Sequence, residues 1–449
     1  MAETSASKLA KRIHTDGSTH FKGGSTPSGA VEGDLWYNTT TNSLQAHNGS
    51  EFVKVSASIP TLTGVTGTIV AGIAGDGLTL AGTNFLSANL IVNFVQADDS
   101  INVNVTVTPS SDTAASVTIP SSIYSNVTAG RVVTIKVTNS DGASSGNQTT
   151  TAAAQPIEVE YLVVAGGGTG APGSSTGGHG GGGGGAGGYR TNYGGTKISF
   201  TAGQVYTVTV GDGGPQIAFD TDTTSTHDGD DSVLSGSGIT TITSTGGGAG
   251  GHGGSTDSMA SGRDGGSGGG GGSGQSAAGG SGNTPSTSPL QGRDGGQGNG
   301  SGSPYSGGGG GGHSVAGHHG SGQHGLGGNG TANSITGASV TYAGGGGGGT
   351  WGDSSLGGAA AGGTGGGGAG QDKDGTRSVA GTANLGGGGG GGGATTPGST
   401  GTGAAGGKGV VILRLLTSVY TGTTSGSPTV TTDGSHKVLK FTSTGSYTA

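Results

Sequence analysis

The chain has 449 residues, of which 114 are glycine and none is cysteine, and its formal charge is −8 at pH 7. Apolar residues make up 28% and charged residues 9%, too few to build a large aliphatic core. The acidic balance, with no basic cluster, argues against nucleic-acid binding and against attraction to anionic lipid, and the missing cysteines exclude disulfide staples and thiolate metal sites.

Residues 1–30 are polar and contain the short mixed stretch Ser-Lys-Leu-Ala-Lys-Arg at 7–12. There is no apolar signal core at the start, and no stretch is long and apolar enough to cross a bilayer, so no membrane insertion is expected. Residues 31–56 alternate apolar and polar residues on both sides of Asn and Gly punctuation, which predicts a β-hairpin or three short strands. Such a unit is marginal by itself and is expected to lean on copies from other chains. Trp36 and Tyr37 read as packing residues there. Residues 1–58 are taken together as an attachment segment.

Residues 59–152 predict an immunoglobulin-like β-sandwich, from apolar runs at 78–80, 90–94, 103–107, 115–119 and 132–137 separated by turn residues. Residues 153–449 form a third region. Within it, residues 166–409 hold 95 of the 114 glycines, in dense tracts at 180–185, 268–272, 307–312, 344–349 and 386–393. Apolar strands at 157–165 and 410–415 bracket this stretch, which a flexible linker would not need. Glycine costs about 0.5–1 kcal/mol relative to alanine in regular structure, so order here demands close backbone packing. Extended left-handed chains of three residues per turn have no internal hydrogen bonds. Each N–H and C=O must therefore find a neighbouring chain. A six-glycine tract would make a rod of about 19 Å. The fold class is mainly β, with packed polyglycine rods framed by strands.

Several phrases resemble known families. Gly-Asp-Leu-Trp-Tyr-Asn at 33–38, with Asn-Gly-Ser-Glu-Phe-Val at 48–53, resembles a short element of bacteriophage tail-fibre and virion proteins. Leu-Thr-Leu-Ala-Gly-Thr-Asn-Phe at 78–85 and Val-Thr-Asn-Ser-Asp-Gly at 137–142 look like the IPT/TIG family, which implies an Ig-like spacer. Tyr-Leu-Val-Val-Ala-Gly-Gly-Gly at 161–168, Gly-Gly-Tyr-Arg at 187–190 and Gly-Gly-Lys-Gly-Val-Val-Ile-Leu-Arg at 406–414 resemble the glycine-rich domain of phage tail-fibre and tip-adhesin proteins. That resemblance implies a sandwich of polyglycine rods whose loops at one end contact the host surface. It also implies a homotrimer attached through its N-terminus to other tail or baseplate proteins, located in the virion, with a host surface glycan or outer-membrane receptor as partner. A non-receptor structural role, as a head fibre, capsid decoration or fibre cap, is the alternative. The C-terminal stretch 434–447 resembles a hairpin that normally precedes the 161–168 strand. Here it is expected to complete the same sheet by covering the edge beside residues 161–165.

The breaks between glycine tracts supply the candidate receptor-contacting residues Tyr305, His313, His318, His319, His324, Tyr342 and Trp351, with Arg263, Arg293 and Arg377 beside them. Aromatic and planar polar groups suit carbohydrate. The histidines match no helical or zinc-finger spacing, so no metal or other cofactor is expected. No enzymatic activity is expected either. Asp228, Asp230 and Asp231 are clustered but lie in a turn, the polyglycine runs lack the Gly-Lys-Ser/Thr of a phosphate loop, and no glutamate follows Glu160.

Overall fold

The computed structural model describes residues 20–40, 43–54, 59–75, 77–86, 88–96, 101–174, 178–217, 227–254, 258–300, 305–321, 324–351, 358–373, 377–393 and 401–449. The 7–12 stretch lies outside them. Among the described residues strands dominate, and the one α-helical turn is Ser121–Tyr124. Tertiary contacts divide the chain into two units, Met1–Gln155 and Pro156–Ala449.

In the first unit, the strands Leu35–Asn38, Ser43–His47 and Phe52–Lys54 form an antiparallel meander, as the alternation predicts. A fourth strand, His20–Gly23, pairs parallel to Leu35–Asn38. Trp36 is buried, packs its ring 5.3 Å from that of Phe52, and donates from Nε1 to the Gly23 carbonyl at 3.1 Å. Seven further strands form two sheets. One orders Thr61–Thr66, Leu78–Thr83 and Ala114–Val117; the other orders Gln148–Thr151, Val132–Thr138, Leu90–Gln96 and Ile101–Val107. Leu80, Phe94, Val117 and Ile135 from both sheets meet in one cluster. The outer strands Thr61–Thr66 and Gln148–Thr151 escape sequence reading because they are threonine-rich and half exposed.

The second unit begins with a six-stranded antiparallel sheet. Pro156–Val164 pairs with Val410–Leu416, so the two strands that bracket the glycine region in sequence are neighbours in space. The sheet is buried on both faces, which explains runs that are apolar without alternation. Val159, Val163, Val411 and Leu413 face a second, five-stranded sheet and meet its Tyr206, Val208, Leu234 and Tyr447. Leu162, Val164, Val410 and Ile412 face the opposite way and meet Ile335, Tyr342 and Ala343. On that face Glu160 lies directly across from Arg414. Arg414 donates from Nη1 to Glu160 Oε2 and from Nη2 to Asp433 Oδ2, each at 2.9 Å.

The C-terminal hairpin completes this sheet within the same chain, but not at the expected edge. His436–Phe441 pairs with Val410–Leu416, and the edge beside Pro156–Val164 is closed by Tyr189–Thr191 and Ile198–Thr201 instead. The hairpin fits its place because Leu439 and Phe441 enter one core while Val438 enters the other. The last strand, Gly445–Thr448, then crosses to the second sheet beside Val205–Thr209.

Between the bracketing strands the chain runs back and forth as extended rods bonded through their backbones. Residues 180–188 show the rule. The N–H groups of Gly181, Gly184 and Gly187 donate to the carbonyls of Gly392, Gly389 and Gly386; those of Gly182, Gly185 and Gly188 donate to Gly251, Gly248 and Thr245; those of Gly183 and Ala186 donate to Gly308 and Gly311. Partners step by three for every three residues, the signature of a threefold extended helix. None of residues 180–188 has positive φ, so the helix is left-handed. The carbonyls of the same rod accept from 346 and 349, from 165, 168 and 171, and from 267, 270 and 273. Six rods therefore surround one. Counting bonds in the same way, the tracts 268–272, 307–312, 344–349 and 386–393 each touch six neighbours too. All four are neighbours of 180–188, which is the hub of the bundle. The five densest glycine tracts of the sequence are thus all interior rods, and residues 165–171, whose bonds also reach six neighbours, form another.

Interior position explains the unbroken glycine. A Cβ on Gly184 would lie 2.1 Å from the Gly168 carbonyl oxygen, and one on Gly346 would lie 2.0 Å from that of Gly389. Rods at the rim have an open side, and side chains appear there at every third position. Ala278 and Ser281, Asp294 and Gln297, and Ala361 and Thr364 are all exposed.

Two outcomes are expected. Gly184→Ala forces backbone overlap that no rotamer relieves and should destabilise the second unit by more than about 3 kcal/mol. Ala278→Ser at the rim should stay within about 0.5 kcal/mol of the parent. Denaturant titration of the purified chains measures both. In the sheet, Arg414→Met leaves the carboxylate of Glu160 buried without its cation and should cost about 3 kcal/mol, whereas the double change Glu160→Leu with Arg414→Met should recover at least half of that. Equal losses in the single and double variants would show that packing, not charge, sets the cost.

Candidate binding surface at the loop end of the glycine bundle

The rods have two unlike ends. One abuts the sheets, where Ala165 N bonds Gly188 O, Gly266 N bonds Gly246 O and His313 N bonds Ala343 O. The other end lies away from the sheets. There Gly254 N bonds Ser273 O, Gly274 N bonds Asn299 O, Asn299 N bonds Ser306 O and Thr350 N bonds Gln371 O. Polar side chains finish this end. Ser273 Oγ accepts from Gly180 N at 2.8 Å, and Gln371 Oε1 accepts from Gly393 N at 3.2 Å.

Two of the expected residues meet at the loop end. Tyr305–Ser306 and Thr350–Trp351 form a two-stranded bridge, with Tyr305 opposite Trp351 and their rings 5.9 Å apart. His179 joins them, edge-on to Tyr305 at 4.9 Å. All three are half-buried, so each keeps apolar surface toward solvent. Trp351 lies against Gly178, whose φ of +68° and open Cα let the indole approach; a Cβ there would fall 2.2 Å from Trp351 Cδ2. The Nδ1 of His179 is buried and has no hydrogen-bond partner among the described residues. Burial pushes the pKa of this histidine below its ordinary value. Sequence reading passed over His179, although it carries the same mark as Trp351: a large side chain where a glycine rod begins or ends.

The other expected residues disperse. His318 and His319 are exposed on the flank, where His319 Nδ1 accepts from Gln297 N at 3.0 Å. His324 is half-buried near them. Two expectations are corrected. Tyr342 is 1% exposed and sits in the core under the six-stranded sheet. His313 is stacked on Tyr189 at 4.4 Å, with Nδ1 bonded to Thr331 Oγ1 and Nε2 to the Leu290 carbonyl. The reason is geometric. Residues on either side of one glycine tract are close in sequence but a rod length apart, about 25 Å for the eight steps from Tyr305 to His313.

The charged residues mostly terminate the lattice. Asp228 Oδ1 accepts from Ala249 N, Asp231 Oδ1 from Gly246 N, Asp264 Oδ1 from Ser281 N and Asp294 Oδ1 from Gly282 N. These carboxylates replace the carbonyls of rods that are not there. Arg263 makes a bidentate pair with Asp228. Arg293 is exposed at the sheet end, and Arg377 is exposed beside the turns. No helix among the described residues is long and apolar enough to cross a membrane.

A bundle of polyglycine rods framed by β-sheets defines a glycine-rich domain. The model of the glycine-rich domain family matches residues 142–416, more than half the chain, and the protein belongs to that family. No curated protein and no solved structure matches the chain.

Tyrosine ionisation checks the placement of the core. Burial, with Tyr189 adding to it, pushes the Tyr342 phenol up to about 12 from 10.0, and burial also raises Tyr161, Tyr189 and Tyr447. A raised pKa in the folded state means stability that is complete below pH 10 and is lost as pH rises toward 12. Ultraviolet titration of phenolate should therefore show a late group of tyrosines, released together with unfolding. Simple titration of every tyrosine near pH 10 would contradict a buried Tyr342.

Proposed function

We propose that the chain is a subunit of a bacteriophage tail fibre that attaches to the host cell through the loop end of its glycine bundle. The observation that carries this reading is the gathering of His179, Tyr305 and Trp351, half-exposed, at the end of the bundle farthest from the framing sheets. A rigid frame that presents aromatic side chains on turns is the usual division of labour in recognition proteins. Exposed aromatic faces beside hydrogen-bonding groups suit a sugar ring, so the receptor is a surface glycan or the glycan-bearing part of an outer-membrane receptor. Exposed Arg377 lies beside the same surface.

The rest of the chain fits this role. The seven-stranded sandwich has the two-sheet order of an Ig-like module, in line with an IPT/TIG spacer. The 1–58 segment serves as attachment to tail or baseplate proteins in the virion, and homotrimer formation belongs to the same proposal. Trimerisation through the bundle is not required for stability, because the lattice bonds its interior rods within one chain. Sedimentation of the full chain tests the trimer.

Adsorption tests the function. The full chain, fluorescently labelled, should bind candidate host cells saturably, and Trp351→Ala with Tyr305→Ala should lower affinity at least tenfold while the melting temperature stays within a few degrees of the parent. Equal binding by the parent and the variant would move recognition off the loop end. Binding by neither, over a panel of hosts, would favour a purely structural virion protein such as a head fibre, capsid decoration or fibre cap.

A further inference from the structure

The second unit contains another concave feature, at the sheet end of the bundle and well away from His179 and Trp351. It is a cleft of about 130 Å³ lined by Tyr161, Tyr189, Arg190, Thr191, Pro289, Leu290 and His313. The cleft straddles the strand Tyr189–Thr191, which is the outermost strand of the six-stranded sheet.

Three properties of this cleft point to a ligand. First, the edge strand has backbone groups to spare. Asn192 N bonds Tyr161 O and Ala165 N bonds Gly188 O, so by the alternation of an antiparallel ladder Arg190 exchanges bonds with Val163. The N–H of Tyr189 and of Thr191 then point outward. Tyr189 N is taken by Gln291 O at 2.9 Å, while Thr191 N has no partner among the described residues. Second, the charge is unbalanced. Among the described residues Arg190 makes one long hydrogen bond, from Nη1 to the Thr243 carbonyl at 3.3 Å, and no carboxylate lines the cleft. The nearby charge of Arg190 also favours ionisation of the Tyr161 phenol, against the larger effect of burial. A guanidinium with most of its five donors unused, on a chain of net charge −8, is an anion site in waiting. Third, the walls are flat and apolar. Tyr161 and Tyr189 offer aromatic surface, and Pro289 and Leu290 close the other side. His313 offers its ring only, since both nitrogens are engaged with Thr331 and Leu290.

We infer that this cleft binds a small ring bearing a single carboxylate, of the class of a hexuronic acid residue. The carboxylate meets Arg190 and the Thr191 N–H, and the ring lies between the edge strand and the Pro289–Leu290 segment. The site is independent of the loop-end surface: either can be absent without the other.

Isothermal titration of the full chain with free glucuronate and galacturonate tests it. Binding to one of them with a Kd on the order of 1 mM is expected for a ligand of this size. Glucose, which lacks the carboxylate, should bind at least tenfold more weakly, and inorganic phosphate should not compete. Arg190→Gln should weaken uronate binding tenfold or more. Leu290→Glu, which places a like charge in the cleft without touching the edge strand, should abolish it. Both variants are read alongside thermal melting, and Trp351→Ala should leave uronate binding unchanged. Equal affinity for glucose, displacement by phosphate at matched concentration, no uronate binding at 20-fold above the expected Kd (about 20 mM), retention of binding by a folded Leu290→Glu protein, or loss of uronate binding in Trp351→Ala would each overturn the assignment.

Discussion

The structure depends on one repeated interaction, a backbone hydrogen bond from one glycine rod to another, stepping by three residues. A typical bond of this kind contributes about 0.5–1.5 kcal/mol net, and ordering a glycine costs about 0.5–1 kcal/mol more than ordering an alanine. The two are so close that a single pair of rods would not hold together. Six neighbours change the balance, because an interior residue then has both its N–H and its C=O bonded in a dry, close-packed setting where an unmade bond is expensive. The direction in which a side chain would project is filled by a neighbour's carbonyl. This leaves room for Cα–H···O contacts, which add a second, weaker attraction.

Such a lattice has to be started and stopped. The sheets start it. Pro156–Val164 and Val410–Leu416 pair as strands and then continue directly into rods, so the ordinary hydrophobic cores on the two faces of that sheet hold the first and last rods in register. Side chains stop it. Asp228, Asp231, Asp264, Asp294, Gln371 and Ser273 each take a backbone N–H that would otherwise meet no rod. A low content of apolar residues is thus no obstacle to a folded second unit, since its interior is filled by backbone.

The same arrangement separates the two proposed binding surfaces. The free end carries the His179, Tyr305 and Trp351 group, while the sheet end carries a cleft around an edge strand. Large side chains are confined to the ends and the rim, because an interior rod has room only for an occasional small one such as Ala186 or Ala171. A chain built in this way can vary its turns without disturbing its frame.

Much of this was legible from residues alone. Composition and the bracketing strands were enough to expect ordered polyglycine rods, and the alternation at 31–56 and 78–137 was enough to expect short strands. The longest tracts even mark interior rods, once it is understood that every third residue at the rim faces outward, although residues 165–171 are interior without such a tract. What could not be read was which residues come together. A glycine rod has no side chains to say which neighbours it takes, so Gly184 is matched with Gly389 and Gly346 by the path of the whole chain and not by any local signal. For the same reason Tyr305 and His313, eight positions apart, were grouped although a rod lies between them, while Tyr305, Trp351 and His179, far apart in sequence, form the cluster. The sequence by itself determined the kind of matter this protein is made of: β-strands and glycine rods, with no thiols and little charge. Only the tertiary structure decided the order of the rods, and with it which turns share an end, because backbone bonding is the same for every glycine and carries no address.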